Sequence, residues 1–272
     1  MTTNVESLPD QAKFLLLKKT VESMKLEKFQ KIAATLEIKS KTLENENALV
    51  VKYSKRVLVY AQPHTKFAGM LFYNDQSRGL VDTADTLLDE KRAQRWADEF
   101  LHNFKLIPIK PKDDRIDLRI RLFTSQTEAI LFDGKERKRV KNRTEVKSEI
   151  SLNGIPVVGP RAKVRMVFKD QEKPILVHNC LWDKVEVYEE KEAVRIHDVV
   201  KAVKEKLKER RSCMTHSDVI STRLAYFADE YCAGTDVLAP YYFVEVEFED
   251  MKAKENGIKQ GPRQVFWVPA YR

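Results

Sequence analysis

The sequence predicts an α+β protein, with antiparallel sheets, helices packed on one side of them, and repeated helix-plus-meander units. Three observations predict it. Strand-like runs come in consecutive groups rather than singly between helices. Three stretches carry apolar residues at helical spacing, each followed by such a group. No Gly-rich or low-complexity linker interrupts the series, with eight glycines in 272 residues.

In chain order, Ser7 and Pro9 mark a helix start, followed by Phe14, Leu17, Val21 and Met24 at three-to-four spacing. Phe29, Ile32, Ala33 and Leu36 continue the stripe after a phase slip near Leu26, which allows two short helices. ALVVKY, RVLVYA and GMLFYND, from Ala48 on, predict a three-stranded meander. A helix capped by Asp89 follows, with Ala93, Trp96, Ala97, Phe100, Leu101 and Phe104 on one face and Pro108 as its stop.

Residues 109–114 are polar and contain proline. They divide the chain into a helix–meander–helix unit, 1–108, and a second unit, 109–272, or join the two in one continuous domain. Leu118, Ile120 and Leu122 alternate with arginines as a strand, and Asp133-Gly134 signals a hairpin. Val146, Ile150 and Leu152 belong to another strand, and Ala162, Val164, Met166 and Phe168 to a third. ILVHNCLWDKVEVY reads as one bent strand. Ile196, Val199, Val200, Val203 and Leu207 mark the third helix, and VISTRLAYFA, YYFVEVEFE and RQVFWVPAY predict the last strands.

The segment from Arg143 to Tyr188 carries a resemblance. A strand leads into Gly154, Ile155, Pro156, Val157, then Gly159 and Pro160, a strand through Val164, and another ending at Trp182. This resembles the PepSY-like modules of the thermolysin-propeptide (FTP) and YycI type, over about residues 85–272. The helices on either side and the tail with its Pro-Tyr-Tyr pattern fit the same plan. Arg161 and the lack of an export signal depart from it. The resemblance implies binding or inhibition more than catalysis and brings no catalytic residues. From the residues alone, the glycines and Pro156 predict a structural corner.

The chemistry signals are sparse. No Walker A, GxGxxG, HExxH, GxSxG or EF-hand pattern occurs, and the five histidines are scattered, so no cofactor and no metal is expected. Cys180, Cys213 and Cys232 form no CxxC pair; small buried thiols are the plain reading, a Cys213–Cys232 disulfide the other. No apolar run reaches the ~20 residues of a membrane span, and no signal peptide is visible, so a cytoplasmic protein without membrane partners is expected. The net charge of +8 raises the weight of polyanion binding. Its densest focus is the basic patch of Arg137, Lys138 and Arg139 within residues 135–143. That run holds no aromatic residue for stacking on bases, and a solvated, charged hairpin is its plainer reading.

An aromatic-acidic zone is the other candidate. Trp182, Tyr226 and Tyr242 are expected to line a ligand pocket, with Asp183 and Glu230 as candidate catalytic acids. Aromatic neighbours desolvate a carboxylate and raise its pKa, which suits a general acid. Core aromatics with solvated loop acids are the plainer reading. Three functions follow in order: a binding or regulatory protein recognising a peptide or protein; a cofactor-independent isomerase or cyclase with an apolar pocket and one acid; and nucleic-acid binding.

Overall fold

The computed structural model describes residues 4–5, 12–65, 67, 69–78, 87–132, 137–209, 217–228, 237–248 and 263–272. Among these, 51% lie in strands and 17% in helices. The α+β expectation with repeated helix-plus-meander units is therefore corrected. The protein is mostly β, and its strands join into one mixed sheet of 15.

The first half supplies β1 (Asn4–Val5), β2 (Lys13–Thr20), α1 (Leu26–Thr35), β3 (Leu43–Glu44), β4 (Ala48–Tyr53), β5 (Arg56–Ala61), β6 (Leu71–Asp75) and α2 (Glu90–Asn103). The second half supplies β7 (Leu118–Phe132), β8 (Arg137–Leu152), β9 (Ile155–Val158), β10 (Val164–Phe168), β11 (Leu176–Asn179), β12 (Lys184–Glu192), α3 (Ile196–Glu209), β13 (Ser217–Phe227), β14 (Val237–Phe248) and β15 (Arg263–Pro269). The order across the sheet is β12-β2-β14-β13-β9-β8-β10-β11-β6-β5-β4-β3, with β1 beside β13, β15 beside β14 and β7 beside β8. Most pairs are antiparallel; β1 and β9 run parallel to β13.

The expected first helix is where the correction is sharpest. Phe14 and Leu17 lie in β2, which is held between β12 and β14. Phe14, Leu16 and Leu17 are all buried. A strand with neighbours on both edges and cover on both faces tolerates a continuous apolar run, which three-to-four spacing cannot distinguish from a helix. The helix begins only at Leu26, where the periodic phase slips.

The meander β4-β5-β6 forms as the alternation predicts. So does α2: the Asp89 side chain accepts from the Lys91 and Arg92 N–H groups, and Ala93, Ala97, Phe100 and Leu101 are buried. The Thr144 hydroxyl donates to the Leu88 carbonyl at 2.8 Å, fixing the start of α2 to β8. The Gly154–Gly159 corner is structural here. Gly159 has φ +115°, and a Cβ there would lie 2.3 Å from the Ala228 carbonyl oxygen. The positions Ser7, Pro9, Asp133, Gly134, Cys213 and Cys232 lie outside the described residues.

Strands from both sides of residue 108 pair directly, β11 with β6 and β2 with β12. One continuous apolar core draws on both halves, from Phe14 and Phe29 to Val244 and Ala270. Among the described residues, no helix is long and apolar enough to cross a membrane.

On β8, Glu145 is 2% exposed and surrounded by cations. Its Oε1 lies 2.7 Å from both Arg143 Nε and Arg165 Nη2, and its Oε2 lies 2.8 Å from Lys147 Nζ. Burial pushes its pKa up, but the hydrogen bonds and charges of Arg165 and Lys147 outweigh burial and hold it down at about 2.

Candidate functional site

Residues 175–188, expected as one bent strand, are two. β11 pairs with β6, whereas β12 lies at the far end of the sheet order beside β2. The linker 180–183 carries the chain between them, and a cleft of about 340 Å³ opens beside it. That volume sits at the small end of ligand sites. Asn179, Trp182 and Asp183 form one wall. Glu22 and Lys25 come from the β2–α1 connection and Lys28 from the first turn of α1. Tyr60 of β5, Gly69, and Lys105 just beyond α2 complete it.

Gly69 has φ +72°, and a Cβ there would meet Val21 Cγ1 at 2.3 Å, so the wall beside Glu22 closes only over glycine.

Asp183 is fixed at three points. Its N–H donates to the Thr20 carbonyl at 2.8 Å, and its own carbonyl accepts from the Ile109 N–H at 2.8 Å. Its carboxylate Oδ2 accepts from the Glu22 N–H at 2.6 Å. Burial raises the Asp183 pKa above the ordinary aspartate value, against the lowering influence of the Glu22 N–H and Lys28. Burial shifts Lys28 the other way, lowering its pKa. Its Nζ donates to the Lys105 carbonyl at 3.3 Å. The Tyr60 hydroxyl donates to the Glu22 carbonyl at 2.7 Å. Burial, then the Asp183 charge, pushes its pKa well up. The Glu22 carboxylate is paired with Lys184.

Asn179 holds the cleft wall together. Its Nδ2 donates to the Leu106 carbonyl at 2.8 Å and its Oδ1 accepts from the Leu181 N–H at 2.9 Å. A second groove, about 420 Å³, lies along β12 between Lys184–Val187 and residues 109–115. There Arg115, by hydrogen bonding, holds the Asp113 carboxyl down at about 2.

Of the expected site residues, Trp182 and Asp183 line the 340 Å³ cleft. Tyr226 and Tyr242 do not. Both are buried in the core; the Tyr226 hydroxyl donates to the Leu15 carbonyl at 2.9 Å and the Tyr242 hydroxyl to the Val194 carbonyl at 3.2 Å. Burial raises the Tyr226 pKa to about 12. Glu230 lies outside the described residues. In the basic patch, Arg137 and Arg139 are exposed on β8; Lys138 occupies the alternate strand position, and its side chain is not described. Lys28, Tyr60 and Lys105 carried no sequence signal. Tyr60 is one alternating residue of a strand, and the lysines are two of 49 basic residues.

His178 Nε2 lies 3.0 Å from Cys180 Sγ, a contact outside the cleft. Among the described residues no group of three metal-binding side chains gathers.

A separate surface stands on the last three strands. Phe227, Tyr241, Phe243 and Trp267 form a cluster, with Phe227 and Trp267 at 4.4 Å and Phe243 and Trp267 at 5.7 Å between ring centroids. The Arg223 guanidinium lies 5.9 Å from the Phe243 ring centre. Trp267 remains 54% exposed.

No family model matches the chain, PepSY-like modules included, and the resemblance read at Gly154–Trp182 is left without support from that comparison. No curated protein matches either. Among solved structures, an uncharacterized protein from Eubacterium rectale aligns over 99% of this chain and 88% of its own, at 13% identity and a TM-score of 0.48. A likeness of that degree carries no argument about what the chain does.

Proposed function

We propose that the cleft beside Asp183 binds a small polar molecule and that Asp183 exchanges a proton with it. One observation carries this reading: within one cleft, burial moves Asp183 up and Lys28 down, so acid and base approach each other in pKa. Groups whose pKa values burial shifts in this way cluster at functional sites. Protonated Asp183 serves as the acid. The walls are more polar than the apolar pocket expected from the sequence, which favours a hydrophilic substrate and a proton-transfer isomerisation.

The test is a turnover screen over small polar substrates open to such isomerisation, sugars and keto acids among them, with Asp183→Asn in parallel. The amide keeps the shape and still accepts the Glu22 N–H, but it cannot donate the proton. Turnover should fall about 10²–10⁴-fold. Wild-type activity should decline as pH rises through the raised Asp183 pKa. Stability moves the same way: with its folded pKa above the unfolded value, ionised Asp183 opposes folding above that pKa and ceases to as pH falls through it. The amide variant should therefore unfold no more easily than wild type at neutral pH. Full turnover by Asp183→Asn on any accepted substrate defeats this reading.

A second reading, recognition of a peptide or protein, is favoured by the aromatic cluster of β13–β15, from which Trp267 stands exposed. Beside it Arg263 pairs with Glu245 and Glu247, and the Arg223 guanidinium lies against the Phe243 ring, so the face suits aromatic side chains. Peptides selected by display on the full chain should be rich in aromatic residues and bind at least about tenfold more weakly to Trp267→Ala. Selected peptides indifferent to that substitution would place recognition elsewhere.

A further inference from the structure

At one end, β7 and β8 continue past their neighbours as a two-stranded ribbon. β8 gains a second neighbour only over residues 144–147, from β10, and over residues 150–152, from β9. Residues 137–143 are paired with β7 alone among the described residues. The register shifts between Thr127 and Glu128, which leaves Asn142 as an extra residue on β8. The Thr127 hydroxyl donates to Asn142 Oδ1 there, at 3.0 Å. A bulge of this kind bends its strand and increases the local twist. Beyond it, Glu128, Ile130, Arg137, Arg139 and Lys141 are exposed, and Ala129 and Val140 are half-buried.

The cations of β8 divide at the bulge. On the sheet side, Arg143 and Lys147 are engaged by the buried Glu145. On the far side, Arg137, Arg139 and Lys141 make no ion pair among the described residues. They occupy alternate positions of a regular strand, so they share one face, roughly 7 Å from one to the next. Glu128, opposite Lys141, is the one acid on the described part of the ribbon. Charges that only guard an open edge are needed on both strands. Residues 129–132 of β7 carry none, and Ile130 stands 62% exposed opposite Arg139.

We infer that this ribbon is a binding arm for duplex DNA, with Arg137, Arg139 and Lys141 meeting the phosphates that flank the major groove. A regular row of cations matches a regular row of phosphates, and a lipid surface presents no such row. A two-stranded ribbon enters the major groove of B-form DNA, about 12 Å wide. The five residue pairs from Glu128–Lys141 to Phe132–Arg137 give it a reach of about 17 Å. The major groove of an RNA duplex is too narrow to admit it. Residues 137–143 hold no aromatic ring, so the basic strand offers no platform for stacking single-stranded bases. The net charge of +8 adds long-range attraction, and phosphate contacts of this kind confer no sequence preference. The arm is independent of the Asp183 cleft.

The experiment is a titration of a short fluorescent DNA duplex of mixed sequence with the full chain, followed by anisotropy between about 50 and 200 mM salt. Three phosphate contacts predict that log affinity falls with log salt at a slope of about −3. The variant carrying Arg137→Gln, Arg139→Gln and Lys141→Gln should bind at least about tenfold more weakly and lose most of that slope. Thermal unfolding should match wild type, because none of the three is ion-paired. Arg139→Gln alone should lower the slope by about one. Lys201→Gln, Lys204→Gln and Lys206→Gln, on exposed positions of α3, remove the same charge and should leave affinity within about twofold, since distant charges are screened. Equal losses in the two triple variants would mean that net charge alone binds, and would overturn the arm. Absence of binding at about 50 mM salt overturns it too, leaving a solvated hairpin. Tighter binding to a single strand of the same sequence overturns the groove assignment. Binding to phosphatidylserine vesicles but not to the duplex, lost in the ribbon variant, would make the arm a membrane contact instead.

Discussion

Glu145→Gln should lower the free energy of unfolding by about 3 kcal/mol at neutral pH, the low end of the cost of breaking a buried ion pair. The buried carboxylate holds Arg143, Arg165 and Lys147, and its amide leaves three cations facing a neutral group. The low end applies because all three cations are partly exposed and can turn toward water. The pH dependence follows from the sign of the shift. The Glu145 pKa is depressed to about 2 from 4.5. Its stabilisation is fully present above 4.5 and is lost as pH falls toward 2. Wild-type stability should therefore drop steeply over that window, and Glu145→Gln should remove part of the slope. Denaturant unfolding at pH 7 and pH 3 measures both. Equal slopes in the two proteins would mean that Glu145 titrates normally.

Phe100→Ala should cost about 3–5 kcal/mol, as for other buried large aromatics. The Phe100 ring is stacked on Trp96 at 4.8 Å and meets Phe104 edge-on at 5.1 Å, and Trp96 in turn meets Phe168 of β10 at 5.6 Å. Removing the middle ring breaks the aromatic row through which α2 meets the sheet. Trp96→Ala should cost less than Phe100→Ala, because Trp96 is only partly buried. Urea unfolding of the two variants gives the ranking, and a larger loss for Trp96→Ala would reverse this account of the interface.

What could be read from the sequence was what local chemistry determines. Asp89 caps α2 through the Lys91 and Arg92 N–H groups of its own first turn, and Ala93, Ala97 and Phe100 share a face whatever the rest of the chain does. The meander at Ala48–Asp75 needs only its own turns. β2 is the opposite case. Whether FLLLKK is a helix or a strand is settled by β12 and β14, and nothing within the run refers to them. The same limit governs the cleft. Trp182 and Asp183 were legible as an aromatic beside an acid at a strand end. Lys28, Tyr60 and Lys105 reach Asp183 only through the sheet order and the packing of α1. Tyr226 and Tyr242 had the same local signature as Trp182. Their neighbours are instead the carbonyls of Leu15 and Val194, which makes them core residues.

The placement of β2 also has a consequence for how the protein is made. Lys13 meets Glu190 across 177 positions of chain, and the Leu15 carbonyl receives the Tyr226 hydroxyl across 211. A ribosome adding about 5–20 residues per second needs roughly 10–40 s to supply those partners. Through that interval Phe14, Leu16 and Leu17 have left the exit tunnel with both edges of their strand unpaired. A nascent chain in that state is a substrate for holding chaperones and for pairing with its neighbours on a polysome. Strands β12 and β14, translated long after β2, are thus the ones that release it from custody.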